Sequence, residues 1–461
     1  MNLKRQSLMM SQQAQLQSAQ KKGKDCFNSF FQAKLSRRRT KPIIITDIPK
    51  LRTLTKTNPK MLSNLWIAPS LSNGSDSDRA KVVHFLVQEL KTFKSLTSLT
   101  LDFSDFGDLN QQDITMLTQG LEDLKSLLVL TVCFPEEMND QLVKAFFSSL
   151  KVLKILSNLT LDFSECEQAS EEIFKPLLQI LKDLRKLEHL SLDFSCCINI
   201  DGRGLTYLFE RLLRYPSLKD LDIILPEIRN DRWLQRLNPG RRKTCSLSSL
   251  ALDFPYCEKI SQKGIQNLTQ ILKNNSRSLR DLSLNFGACQ GFPEIVMKEL
   301  YFSIKELKTL SSLELRLNPP KETDQALALT LFASLVELKE NLRTLALTLP
   351  EVYKIEEAEM KTFLWSCSKL KNLETLSIEL CHWEDVSDRE LENLSNCLGE
   401  LSSLSTLTIN FDKSSKVTPK RFNSLVRSLK DLPNSSRISF NNDECKIVNG
   451  VSVDNISLVE C

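Results

Sequence analysis

Residues 187–197 read LEHLSLDFSCC. The same phrase stands at 156–166 (LSNLTLDFSEC), 247–257 (LSSLALDFPYC) and 279–289 (LRDLSLNFGAC). Its skeleton is L-x-x-L-x-L-x-[FL]. With the second leucine of each phrase as marker, the copies fall at Leu99, Leu130, Leu159, Leu190, Leu221, Leu250, Leu282, Leu313, Leu345, Leu376 and Leu407, spaced by 29, 31 or 32 residues. Eleven copies at a nearly fixed period specify a solenoid, in which each unit buries its apolar face only against its neighbours.

Inside each phrase the apolar residues alternate, as in Leu159, Leu161 and Phe163, which is the period of a strand with one face turned inward. About twenty residues follow in which the spacing changes to three and four, as in Ile114, Leu117, Leu121 and Leu124, or Ile173, Leu177, Leu178, Leu181 and Leu184. These are amphipathic helices. Asp140, Asp201, Asp324 and Asp388 near their starts suit the positive end of a helix. The unit is therefore strand, loop, helix, loop, and successive strands are parallel. Helices are broader than strands, so the stack curves with the strands on the concave side. The fold class is α/β, a right-handed solenoid with a parallel sheet inside and helices outside.

The phrase resembles that of the leucine-rich repeat family, in its long α/β, ribonuclease-inhibitor-like type, over about residues 62–431. That family places Asn or Cys in the turn after the strand, bonded to the neighbouring loop. Here Cys166, Cys197, Cys257 and Cys289 share one position, two residues later than the common pattern, and Phe closes the strand. Copies ending Phe134-Pro135, Leu225-Pro226 and Leu349-Pro350 have a different turn, so two unit types alternate loosely. The resemblance implies a rigid protein-binding surface. It also brings the family's inhibitors of nucleases and activators of small GTPases into view as alternatives.

The chain divides into four parts. Residues 1–41 hold ten Lys or Arg against one acid, Asp25, so the remaining chain carries 51 basic and 56 acidic residues. This arm reads as solvated and disordered. Its run Arg37, Arg38, Arg39 and Lys41 fits a nuclear signal, a transit peptide or an electrostatic tether to a microtubule or nucleic acid. Residues 42–95 form an N-terminal cap, with a degenerate phrase at Leu62–Ile67 and a helix over Asp78–Lys91. Residues 96–431 are the array, and 432–461 a C-terminal cap or tail with a poor strand at Arg437–Phe440. The thirteen cysteines form no framework of pairs and read as free thiols in a reducing, cytoplasmic compartment. With twelve glycines and no phosphate loop, no C-x-x-C and no apolar run of membrane length, neither cofactor, metal nor membrane span is expected.

Strand residues between the inward ones face out onto the concave sheet. One outward row reads Asp102, Cys133, Asp162, Asp193, Ile224, Asp253, Asn285, Arg316, Thr348, Glu379, Asn410. Asp162 and Asp193 should lie on adjacent strands ~4.8 Å apart, where like charges repel by about 1 kcal/mol in water and about 3 at an effective dielectric of 20. Two readings stand: a docking strip for a basic protein segment, in which the chain's own arm could lie, or carboxylates that bond the turn backbone. Candidate contacts are Asp102, Asp162, His189, Asp193, Asp253, Arg316 and Glu379. His189 should lie near Asp220 and Asn158 without a nucleophile beside it, and His382-Trp383 falls in a turn. The chain reads as a non-enzymatic scaffold of undetermined oligomeric state, with enzyme regulation and tethering by the arm as alternatives.

Overall fold

The computed structural model describes residues 43–46, 63–69, 76–228, 230–237, 246–254, 257, 260–287, 289, 294–317, 325–349, 357–380, 388–410, 437–441 and 456–458. Its first elements are β1 (Ile43–Ile45), β2 (Asn64–Ile67), α1 (Asp76–Leu90), β3 (Ser98–Asp102), α2 (Gln111–Glu122), β4 (Val129–Cys133), α3 (Asp140–Leu150) and β5 (Asn158–Asp162). Next come α4 (Phe174–Leu181), β6 (His189–Asp193), α5 (Gly202–Leu212), β7 (Asp220–Ile224), α6 (Arg232–Arg236), β8 (Ser249–Asp253), α7 (Gln262–Asn274) and β9 (Asp281–Asn285). Then follow α8 (Glu294–Ile304), β10 (Ser312–Arg316), α9 (Gln325–Val336), β11 (Thr344–Leu349), α10 (Glu357–Ser368) and β12 (Thr375–Leu380). The chain ends with α11 (Asp388–Gly399), β13 (Thr406–Asn410), β14 (Arg437–Asn441) and β15 (Ile456–Leu458).

Among the described residues fifteen strands join one sheet in chain order, and every pairing is parallel, as in β5–β6 and β9–β10. The marker leucines form one unbroken row from Leu99 to Leu407. The row runs past the repeated phrase in both directions, through Leu65 to Ile43 and through Ile438 to Ile456. The helices pack in sequence against one another on the opposite face. Helices lie 8–10 Å apart and strands about 4.8 Å, and this mismatch bends the stack with the sheet inside.

The core is one continuous cluster between the layers. Where phenylalanine follows the strand in neighbouring repeats, the rings stack on one another along the solenoid. Ring centroids are 4.8 Å apart for Phe134–Phe163, 5.6 Å for Phe163–Phe194 and 4.5 Å for Phe254–Phe286. Leucine, at Leu225, interrupts this spine. There Trp233, fully buried on the five-residue α6, fills the gap and lies 4.7 Å from Phe209 and 6.1 Å from Phe254.

The turn cysteines behave as the phrase implies. Cys166, Cys197, Cys257 and Cys289 are buried. The Cys166 thiol donates to Pro135 O (3.3 Å), Cys197 to Phe163 O (3.4 Å) and Cys289 to Phe254 O (3.6 Å), each a carbonyl of the preceding repeat. The eight described cysteines are free thiols. Two further stitches join consecutive helix starts. Asp140 accepts from Ser170 N and Oγ at 2.8 and 2.6 Å, and Asp231 from Ser261 N and Oγ at 2.8 and 2.7 Å. Of the helix-start acids, Asp201 is a true N-cap, accepting from Arg203 N and Gly204 N, whereas Asp140 follows the N-cap Asn139. Among the described residues no helix is long and apolar enough to cross a membrane.

Candidate functional site: the acidic sheet face

The register aligns the outward row as the alternation requires: Asp102, Cys133, Asp162, Asp193, Ile224, Asp253, Asn285, Arg316, Thr348, Glu379 and Asn410 are successive partners. Asp102, Asp162 and Asp193 are half-buried, and each uses one oxygen locally. Asp102 Oδ1 accepts from Ser104 N and Oγ at 3.3 and 2.6 Å. Asp162 Oδ1 accepts from Ser164 N at 2.8 Å, and Asp193 Oδ1 from Ser195 N at 2.9 Å. Asn285 does the same to Gly287 N at 2.9 Å. This is a turn held by the side chain two residues upstream.

Asp253 departs from the expected solvated position. It is only 6% exposed, and its outward neighbours Ser249 and Ala251 are buried as well. The residue two positions on is Pro255, which has no N–H to give. Asp253 therefore lacks the turn bond of its counterparts, and its Oδ1 is buried without a hydrogen-bond partner. The carboxylate lies between Ile224 and Asn285 in the register. Burial pushes its pKa up to about 6, against the bond from Asn285 and the nearby positive charge of Arg316. Arg316 lies across the turn of the preceding repeat: a Cβ on Gly287 would come within 2.8 Å of its Cγ and Cδ. The half-buried stem of Arg316 thus runs along the sheet over the turn after β9.

His189 sits between Asn158 and Asp220. Its Nδ1 pairs with Asp220 Oδ2, and Ser248 Oγ donates to Asp220 Oδ1 at 2.6 Å. The carboxylate bridges the two side chains, so the serine is not aligned on the imidazole as a nucleophile. Burial, then the carboxylates of Asp162 and Asp102, push the Cys133 thiol well up. A thiol held protonated in this way is a poor nucleophile.

The two other outward rows add the carboxylates of Asp220, Asp222, Asp281 and Glu314. Asp222, Ala251, Ser283 and Glu314 are register partners, and Ser283 Oγ donates to Glu314 Oε2 at 3.1 Å. Across β3–β10 the outward positions hold eight carboxylates against Arg316 and His189. Beyond β10 the face turns to hydroxyls, with Thr344, Thr348, Thr375, Ser377, Thr406 and Thr408 around Glu379. Glu379 takes its backbone place between Thr348 and Asn410. Arg37, Arg38, Arg39, Lys41, His382 and Trp383 lie outside the described residues. Among the described residues no group of three His, Cys, Asp or Glu could hold a metal ion.

Neither a protein-family model nor a curated protein sequence matches the chain. Solved structures do. The Rad7 and Elc1 complex of yeast contains a chain 12% identical, with a TM-score of 0.50, over 95% of this chain and 96% of that one. An internalin from Listeria monocytogenes is 14% identical over 80% of this chain and 97% of its own, with a TM-score of 0.38. The leucine-rich repeat-containing protein LegL7 from Legionella pneumophila is 15% identical over 79% of this chain and 98% of its own, also at 0.38. The eleven in-register phrases and the one-way parallel sheet make this chain a leucine-rich-repeat solenoid.

Proposed function

We propose that the protein is a non-enzymatic scaffold that binds a basic segment of a partner protein along β3–β10 of its concave face. The observation that carries this reading is the run of eight carboxylates at the outward positions of those strands, Asp222 and Asp253 buried and the others more open, set against only Arg316 and His189. A strand-shaped segment bearing Lys or Arg would relieve the repulsion between Asp162 and Asp193, which stand on adjacent strands. A chain of the yeast Rad7 and Elc1 complex, similar over almost the whole of this one, was solved in that complex; a protein is the partner class proposed here. A cytoplasmic, reducing compartment suits a chain whose repeats are joined by protonated thiols.

The test is fluorescence anisotropy of a labelled Lys/Arg-rich peptide against the full-length protein, with an acidic peptide of equal length as control. The reading predicts binding of the basic peptide alone, weakened by Asp162→Asn with Asp193→Asn and by raising salt to about 0.5 M, where the Debye length falls to a few ångströms. Equal binding of the double variant and wild type contradicts it. The chain's own basic arm carries the charge this face takes, so removing residues 1–41 is expected to tighten peptide binding. Unchanged affinity removes the arm as an internal competitor.

A further inference from the structure

On the opposite side of the molecule, α9 reads QALALTLFASLV and has no charged residue from Gln325 to Val336. A helix apolar all round belongs in an interior, yet α9 lies on the outer layer between α8 and α10. Leu327, Leu331, Phe332 and Leu335 supply its buried stripe. Leu329 and Val336 are half-exposed and Ala333 is exposed, at helical spacing along the outer side. The two flanking helices present large apolar side chains on that side. Ile295 and Phe302 of α8 are 57% and 49% exposed, and Trp365 of α10 is 54% exposed.

Phe302 and Trp365 hold equivalent places, each ten residues before the first residue of the next strand, Ser312 and Thr375. Ala333, eleven residues before Thr344, falls between them. Two tall rings therefore flank a low floor. At about 8–10 Å per helix the walls stand about 16–20 Å apart, enough for one helix of about 10–12 Å diameter laid along α9. Each wall carries a cation. Lys305 Nζ lies 4.7 Å from the Phe302 ring centroid and Lys369 Nζ 5.4 Å from that of Trp365, and Lys361 is exposed beside Trp365 on α10.

We infer that the outer groove over α9 is a second docking site, for an amphipathic partner helix with an apolar stripe and acidic flanks. The stripe would seat on Leu329 and Ala333 between the rings of Phe302 and Trp365, and the flanking acids would meet Lys305, Lys361 and Lys369. An exposed apolar patch with a charged rim marks such a surface, and aromatic walls are its expected anchors. An anionic lipid surface fits less well, because Glu306 and Glu340, in the turns after α8 and α9, are exposed. The site is independent of the concave face and selects the opposite charge.

The experiment uses the full-length protein and a labelled synthetic helix with Leu and Phe on one face and Glu on both flanks. A second helix carries Lys in place of each Glu. Anisotropy should show saturable binding of the acidic helix only. Phe302→Ser with Trp365→Ser should weaken it by about tenfold or more while thermal unfolding stays unchanged, since both rings are half in solvent. Lys305→Glu with Lys369→Glu should weaken it with the rings intact. Equal binding of the two helices, or of wild type and the ring variant, overturns the proposal. So does capture of anionic phosphatidylserine vesicles in place of the helix, or self-association of the wild type that the ring variant abolishes.

Discussion

Asp162 and Asp193 stand opposite each other in the β5–β6 register, and each commits one carboxylate oxygen to the N–H two residues on, at 2.8 and 2.9 Å. Turn support and charge are separable here, because Asn285 makes the same bond with an amide oxygen. Asp162→Ala or Asp193→Ala is expected to lower stability by about 1 kcal/mol, the usual net worth of such a bond. The Asn variants keep the turn bond and lose the repulsion, so they should be at least as stable as the wild type. Chemical denaturation of the four variants measures this. An Asn variant as unstable as its Ala counterpart would show that charge, not the turn bond, matters for folding.

Asp253 makes stability depend on pH in the opposite sense to a paired carboxylate. Its folded pKa of about 6 lies above the ordinary 3.8, so between these values the folded chain binds more protons than the unfolded one. Stability contributed by this group is then lost as pH rises through that window. Asp253→Asn removes the dependence. The variant is expected to be more stable than wild type at pH 7.5, by about 3 kcal/mol at most given about 1.4 kcal/mol per pH unit, and equal to it near pH 4. Thermal melts of both proteins at the two pH values check this, and a variant less stable at pH 7.5 counts against it.

The thiols stacked between repeats should be chemically silent in the native state. Burial, ahead of their acidic and cysteine neighbours, pushes the pKa of Cys166 and Cys197 well up, and Cys367 rises for the same first reason. Brief iodoacetamide labelling followed by peptide mass spectrometry is expected to leave these three unmodified until denaturant is added. Cys196, half-exposed in its turn, should label first. Early modification of Cys197 would mean that the turn opens readily.

Two glycines predict opposite responses to alanine. A Cβ on Gly264 would fall 2.0 Å from Asp231 Oδ2, the oxygen that holds Ser261. Gly264→Ala is therefore expected to destabilise by about 1–3 kcal/mol. At Gly399, the last residue of α11, a Cβ meets nothing within 4 Å. Gly399→Ala is expected to be neutral or to stabilise by up to about 1 kcal/mol. Unfolding midpoints in urea decide both.

Period-two and period-four apolar spacing made the strands and helices of the array legible, because each unit buries a fixed set of side chains and register follows from the leucine row. Strands without that phrase were harder to read. Ile43–Ile45 has two exposed isoleucines and no leucine pattern, and only pairing with Leu65–Ile67 defines it. The short α6 was hidden too, since Trp233 enters the core to replace a missing ring and periodicity carries no trace of that. Asp162 and His189 were placed correctly by alternation alone. The burial of Asp253 depends on neighbours from other repeats and on a proline in its own turn, and only the proline is visible in a single phrase.

The most direct test of the concave-face reading is zero-length crosslinking. A carbodiimide joins lysine amines to carboxylates in contact, and the full-length protein would be treated with the Lys-rich peptide and mapped by mass spectrometry. Links to Asp162, Asp193 or Glu314 on the sheet are expected. Links confined to helix-face carboxylates such as Glu122 or Glu306, both exposed, would contradict it.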